Sequence, residues 1–586
     1  MRPLRLLALL LLALALLGTG PTEPGYELAE GFAAPYEEYA VAADHPAASA
    51  AGAEILARGG NAADAAAATM LALGVANPAS SGMGGGGFLL YYRAEDQSLT
   101  YLDFRERAPA AATADMYDDA EPPMEGPANS ASQLGGLASG VPGEPAGVDA
   151  MVRRFGSLPL SAIVEPAVRL AENGVEVSEP LARMSRYFGG QMRRDPLMRG
   201  WFAGPEGGLE PGSRLLQPEL ARTLRAFGRR GKRAIYTGRI ARQIVQANRR
   251  NGGLFTMRDL ADYAVVEREP LSAERFGWRW VTAPPPSAGG FTMLQSLAIL
   301  EGLPARWRPV ERGELPNAAF LHALAESWKG PFLDRERYFG DPDHVELPLD
   351  AMMAPERVGA RIDAFHPSLA MLPEDYEQPL AEEEPEIVQP DNAGTSHLCV
   401  VDREGNVASV TTTVNLPFGA RYTAAGIVLN DEMDDFARAV GEANAFGLVG
   451  GAPNLPGPGK RPVSTMSPTI VFGEDGRPAL CLGAAGGSRI VTAVQQVAMN
   501  VLVHGVDPGQ ALRAPRVHHQ GHPNQLRTEE FAPLDAARLR ALMARGHAHE
   551  PIRNVANVQL IRIGQDQGAR LVAASDPRKG GRPAGR

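Results

Sequence analysis

Residues 395–414 carry the pattern that most constrains how this chain folds. Thr395–Val401 alternates, Asp402-Arg403-Glu404-Gly405-Asn406 supplies turn chemistry, and Val407–Val414 is dense in Val and Thr. Period-two alternation on both sides of such a turn predicts an antiparallel β-hairpin. Pairing Val401 with Val407 and counting outward along both arms sets Thr395 opposite Thr413. Directly opposed residues carry Cβ atoms about 4.5–5.5 Å apart, so two hydroxyls meet at the open end of the hairpin.

Thr395 also sits on a boundary of composition. Leu372–Pro390 is rich in Glu and Pro and has little to bury, which reads as a linker. Asn392-Ala393-Gly394-Thr395-Ser396-His397 then leads into the strand. A hydroxyl directly after a glycine at such a junction can attack its own upstream carbonyl, cutting the chain and leaving Thr395 as a new N-terminus. A threonine hydroxyl is a weak nucleophile alone, but an α-amine titrates at about 7.7–8.0 and can take the hydroxyl proton near neutral pH. By itself Gly-Thr-Ser also reads as the plain start of a strand, so the weight falls on the surrounding sequence.

At 586 residues the chain can hold two to four domains or one large layered unit. Its hydrophobic share of 44% and charged share of 21% are those of a soluble globular protein. A net charge of −11 argues against a nucleic-acid partner, which would need clustered Lys and Arg. The basic run Gly228–Arg233 is short and reads as a solvated helix end. Arg2 and Arg5 precede an unbroken apolar run from Leu6 to Leu17, short for a membrane span and suited to a secretory signal. Residues 1–20 are therefore expected to direct export, to the periplasm or outside the cell, with an uncleaved anchor as the alternative. Cys399 and Cys481 lie in apolar strand-like runs, where one bridge or two buried thiols are both open.

Further along the chain, residues 46–76 predict two alanine-rich helices divided at Arg58-Gly59-Gly60, with Asn61 capping the second. The glycine run at Gly82–Gly87 lacks the Lys-Ser/Thr ending of a phosphate loop and is assigned to close backbone packing. Strands are expected at Gly87–Tyr92, Leu99–Phe104 and Thr469–Phe472, and a helix at Phe291–Leu300 after the Pro284-Pro285-Pro286 turn.

Leu429 through Phe436 places four carboxylates in the five positions from Asp431 to Asp435. The spacing is not that of a calcium loop, and a substrate ammonium is the other cation such a cluster can hold, with Asn415 as a neutral acceptor. Gly483-Ala484-Ala485-Gly486-Gly487-Ser488-Arg489 passes from strand to helix, and its glycines allow N–H groups to face an oxyanion, although a plain turn has the same composition. His518-His519-Gln520-Gly521-His522 looks metal-like, but adjacent histidines on an extended segment point opposite ways, so it is assigned a structural part.

Taken together these residues resemble the γ-glutamyltranspeptidases (glutathione hydrolases) of the N-terminal-nucleophile hydrolase superfamily. The resemblance runs from about Ala43 to Arg578 on Asp103-Phe104-Arg105-Glu106, Asn251-Gly252-Gly253-Leu254, Pro284-Pro285-Pro286-Ser287, Thr395-Ser396-His397, Asn430–Phe436, Met466-Ser467-Pro468-Thr469 and Gly486-Gly487-Ser488-Arg489. It implies an α/β (α+β) fold, a four-layer αββα sandwich. It also implies cleavage between Gly394 and Thr395 into a large subunit (21–394) and a small one (395–586), held as one intertwined heterodimer.

By this resemblance Thr395 attacks a γ-glutamyl carbonyl, Thr413 bonds its hydroxyl, and the N–H groups of Gly486 and Gly487 hold the oxyanion. Arg105 and Ser464 would take the glutamyl α-carboxylate, and Asn415, Glu432 and Asp435 its α-amine. Thr465 stands where a second serine is usual, and Phe446 where many bacterial relatives have a lid tyrosine. The implied ligands are glutathione and other γ-glutamyl compounds, with water, amino acids or dipeptides as acceptors. No cofactor is required. The alternatives are a cephalosporin-type acylase on the same scaffold and an exported binding protein that has lost catalysis.

Overall fold

The computed structural model describes residues 25–201, 208–309, 311–377, 380, 394–564 and 569–586. The expected signal at 1–20 and most of the Leu372–Pro390 linker lie outside them. No helix of the described residues is long and apolar enough to cross a membrane.

The hairpin forms as its pattern dictates. Gly394–Val401 pairs antiparallel with Val407–Asn415, with Val401 opposite Val407 and Thr395 opposite Thr413. A register shift between Gly394 and Thr395 then sets Gly394 opposite Asn415. The hairpin is central in an eight-stranded sheet, flanked by Ala40–Ala43 on one side and Gly86–Arg93 on the other. Strands from both sides of the Gly394–Thr395 junction thus interleave. Ser98–Phe104 extends the sheet beyond Gly86–Arg93, and the chain end at Ala584–Gly585 pairs with Ala40–Ala43.

A second, seven-stranded sheet is built around Thr469–Phe472, Pro478–Ala485 and Asn557–Ile563 and is also antiparallel. Along the nucleophile strand Leu398 and Val400 pack with the alanine-rich helices, whereas Cys399 and Val401 join the cluster that includes the second sheet. Alternation therefore turns Thr395 and His397 toward the space between the sheets. Helices Pro46–Ala57 and Ala62–Ala76 cover the first sheet, and Gly289–Gly302 with Ile490–Leu502 covers the second. The result is the expected four-layer αββα sandwich.

Local chemistry explains the outer helices. Asn61 caps Ala62–Ala76 in a reciprocal capping box with Asp64. Alanine and glycine let the two helices approach closely: a Cβ at Gly52 would stand 2.2 Å from the Thr69 hydroxyl. The glycine run at 82–87 serves close packing as assigned, since a Cβ at Gly85 would stand 1.8 Å from the Thr413 carbonyl oxygen.

Candidate active site

Thr395 and Thr413 face each other across the hairpin with their hydroxyl oxygens 3.0 Å apart. The Thr413 hydroxyl donates to the Gly394 carbonyl oxygen at 2.8 Å, and the Asn415 N–H donates to the Thr413 oxygen at 2.9 Å. Thr413 has one proton, and it is spent on Gly394, so the Thr395 hydroxyl is the donor in the Thr395–Thr413 contact. The carbonyl of the Gly394–Thr395 bond is therefore polarised by one threonine while the other threonine's oxygen lies beside it.

Thr395 and Thr413 line a tight pocket of about 20 Å³ with Arg105, Asn415, Glu432, Asp435, Phe446, Ser464, Thr465 and Gly487. Glu432–Asp435 form a single 3-10 turn on which every residue is buried. The four carboxylates divide their work. Glu432 and Asp435 pair with Arg105, the latter at 2.5 Å, whereas Asp431 accepts the Leu416 N–H and Asp434 accepts the Ser132 hydroxyl at 2.6 Å and the Ala445 N–H at 3.0 Å. Burial pushes the Glu432 and Asp435 carboxyls up against the pull of Arg105, and pushes Glu106 well up with Glu432 adding to it. Both carboxyl oxygens of Glu106 are buried without a hydrogen-bond partner. The pocket thus has a neutral hydroxyl end and a crowded ionic end.

The comparisons with known proteins converge on one family. Residues 48–586 match the family described as Gamma-glutamyltranspeptidase. The chain belongs to this family. It is 38% identical over 533 residues to the glutathione hydrolase proenzyme of Escherichia coli (strain K12), covering 90% of this chain and 88% of the relative. Its fold is similar to the cephalosporin acylase of Bacillus halodurans (TM-score 0.79, 25% identity, 97% of this chain and 99% of the other). It is also similar to the γ-glutamyltranspeptidase of Helicobacter pylori (TM-score 0.51, 30% identity, 62% of this chain and 99% of the other).

Against the expectations drawn from the γ-glutamyltranspeptidase motifs, the geometry brings Thr395, Thr413, Asn415, Arg105, Glu432, Asp435, Ser464, Thr465, Phe446 and Gly487 to one pocket. Three details differ from the simple allocation. Arg105 is held by the two acids expected to take an amine, since buried opposite charges pair with one another. The Thr465 hydroxyl donates to the Gly487 carbonyl at 2.9 Å, so its proton goes to the glycine turn. Gly486 lies behind the lining, where a Cβ would meet Ala556 at 2.6 Å. Gly487 itself has φ +59, and a Cβ there would stand 2.2 Å from the Phe446 ring, so only glycine fits.

Sequence reasoning missed two anchors. Lys579 donates to the Thr395 carbonyl oxygen at 2.5 Å. Gln520, inside the histidine run assigned a structural part, donates to the Gly447 carbonyl at 2.9 Å and accepts through its amide oxygen from His518 Nε2 at 3.0 Å, tying down the turn that carries Phe446. Neither has a local signal. Cys399 and Cys481 are buried free thiols. Away from the pocket His322, Glu326 and His547 gather, but the Lys329 ammonium lies 2.7 Å from Glu326 and the imidazoles bond each other at 2.8 Å, so a cation's position is already filled.

Proposed function

We propose that the chain is an autoprocessed γ-glutamyltransferase and glutathione hydrolase in which Thr395 first cuts its own chain and then carries the glutamyl group. The observation that carries the reading is the Thr395–Thr413–Gly394 hydrogen-bond chain at one end of a pocket whose other end holds Arg105, Glu432 and Asp435. In the uncut chain the Thr395 oxygen attacks the Gly394 carbonyl carbon, Thr413 steadies the oxygen that gains charge, and the amide becomes an ester that water opens. Residues 21–394 and 395–586 are then the large and small subunits, interleaved in both sheets.

In the mature enzyme the freed α-amine accepts the Thr395 hydroxyl proton as oxygen attacks the γ-glutamyl carbonyl. The Gly486 and Gly487 turn stabilises the oxyanion, and the amine leaves with the proton. Water, an amino acid or a dipeptide then takes the glutamyl group from Thr395. For the bound glutamyl zwitterion, Arg105 exchanges its carboxylate partners for the substrate α-carboxylate, aided by Ser464, whose oxygen accepts the Met466 N–H and whose proton remains to donate. Glu432, Asp435 and Asn415 take the α-ammonium. The apolar run at Leu6–Leu17 supports export, to the periplasm or outside the cell.

The acylase reading has one observation behind it, the shared scaffold with the Bacillus halodurans enzyme. An acyl chain without an α-amine would leave Glu432 and Asp435 without a function in binding, and a lost-catalysis reading has to explain an intact Thr395 and Gly486-Gly487. Purified protein incubated with glutathione, with and without glycylglycine, should release glutamate and form γ-glutamyl-glycylglycine. Absence of both products would overturn the proposal.

A further inference from the structure

We infer that Lys579, held by Asp44, is a positioning residue for the nucleophile: it fixes the carbonyl of Thr395 and thereby the direction of the α-amine that Thr395 gains on cleavage. The inference rests on Thr395 being the nucleophile. Lys579 Nζ lies 2.5 Å from the Thr395 carbonyl oxygen and 2.6 Å from Asp44 Oδ2, and both side chains are buried. Asp44 is itself fixed, accepting from Gln559 at 2.6 Å and from the Ser396 hydroxyl. Ser396 in turn accepts from Ser81 at 3.2 Å.

The segment presenting Lys579 is equally rigid. Arg578 bonds Glu529 at 2.8 Å and Asp576 at 3.2 Å, and Asp576 pairs with Arg516 at 2.8 Å. A Cβ at Gly581 would stand 2.4 Å from the Ala43 carbonyl oxygen, so the turn after Lys579 lies flush on the end of the strand that leads into Asp44.

Geometry explains what the contact does. Before cleavage, Thr395 is held from both sides by peptide bonds. Afterwards its Cα has a free amine, a side chain and a carbonyl. Thr413 orients the side-chain oxygen and Lys579 the carbonyl; with two of the three substituents fixed, the tetrahedral carbon determines the third. The amine that takes the proton is then aimed through these two contacts, and misplacing such a group by about 1 Å can cost about 100-fold in rate. An ammonium suits the task better than a neutral donor, because a charged donor holds a carbonyl more tightly. The Asp44 counter-ion keeps that charge from standing alone in the interior.

The experiment compares Lys579→Met, Lys579→Arg, Asp44→Asn and Thr395→Ala, each expressed as the full chain and followed by gel and by steady-state release from a γ-glutamyl anilide. Lys579→Met is expected to lower kcat about 100-fold with donor KM within about twofold, and Lys579→Arg to restore most of the loss. Unchanged kcat in Lys579→Met, or a KM that rises as much as kcat falls, would overturn the inference. If Lys579→Met does not fold, Asp44→Asn carries the test by the same split: kcat down with KM held supports it, and any other split refutes it. The Thr395→Ala arm separates the two claims. Activity there removes the nucleophile assignment itself, whereas an inactive Thr395→Ala beside a fully active Lys579→Met removes only the role of Lys579.

Discussion

At its Thr395 end the pocket is neutral and its hydrogen bonds point where a reacting carbonyl would lie; at its Arg105 end it is charged and its ion pairs are made among the protein's own residues. The first needs no rearrangement to act, since Thr413 already bridges Gly394 and Thr395. The second must exchange partners before it can hold a zwitterion, since Arg105 is clamped between Glu432 and Asp435. The difference implies that losses at the neutral end fall on the chemical step and losses at the charged end fall on binding. Preorganised groups are those that lower the barrier, whereas exchanged ion pairs select the ligand.

The largest break in that comparison is Thr395→Ala. It should leave an uncut chain and reduce γ-glutamyl release by about 10⁴-fold or more, to whatever the oxyanion turn and binding alone provide. A gel with two bands from this variant would remove the cleavage chemistry. Next comes Arg105→Lys, which keeps a charge but loses the fork that can grip two carboxylates or one substrate carboxylate. Donor KM should rise about 100- to 1,000-fold while kcat changes far less. A kcat loss of that size with KM unchanged would erase the distinction between the two ends.

Thr413→Ala works at the boundary. It removes the donor to the Gly394 carbonyl and the acceptor of the Thr395 proton together. Loss of one such preorganised donor costs about 100- to 1,000-fold in the catalysed step, so processing should slow by that order when cleavage is timed on freshly refolded chain. Thr413→Ser keeps the hydroxyl and should process close to the parent rate. Equal processing of Thr413→Ala and the parent would show that the bridge is incidental.

The pair of hydroxyls at the neutral end was legible in the sequence because the register that sets it is local. Period-two alternation and one turn fixed the register of Thr395 on Thr413, and the single deviation is the shift at Gly394, beyond the last regular pair. The charged end was legible only as composition. That Arg105 meets Glu432 depends on a contact 327 residues apart in sequence, and no periodicity reports it. Which two of the four clustered carboxylates face the pocket follows from the tight 3-10 turn at Glu432–Asp435, which a list of acidic residues does not reveal. Lys579 is the extreme case, 184 residues from the carbonyl it holds. Its role follows from the chain end returning beside Ala40–Ala43 in the first sheet.

The smallest expected effect separates the two ends by pH. Burial raises Glu432 to about 7, with Asp435 adding to the rise and Arg105 opposing it. Its carboxylate is needed for the substrate ammonium, so kcat/KM for the donor should fall about tenfold per pH unit below about 7. In the saturated complex the bound ammonium favours the carboxylate, and the Glu432 limb in kcat moves to lower pH. The Thr395 α-amine contributes a second acid limb, and that one belongs to both kcat and kcat/KM because a protonated amine cannot accept the hydroxyl proton. Glu432→Gln should therefore raise donor KM and remove only the limb confined to kcat/KM, leaving the limb common to both. Stability runs the other way. A carboxyl whose folded pKa lies above its unfolded value takes up a proton on folding, so its contribution is full below the unfolded value and is lost as pH rises through about 7. Unliganded protein should then lose thermal stability from this group over the same interval in which donor binding strengthens, and a saturating γ-glutamyl ligand should offset the loss by supplying the missing positive charge. If Glu432→Gln left both pH profiles and the melting curve unchanged, Glu432 would not be the group that joins charge at this end to binding.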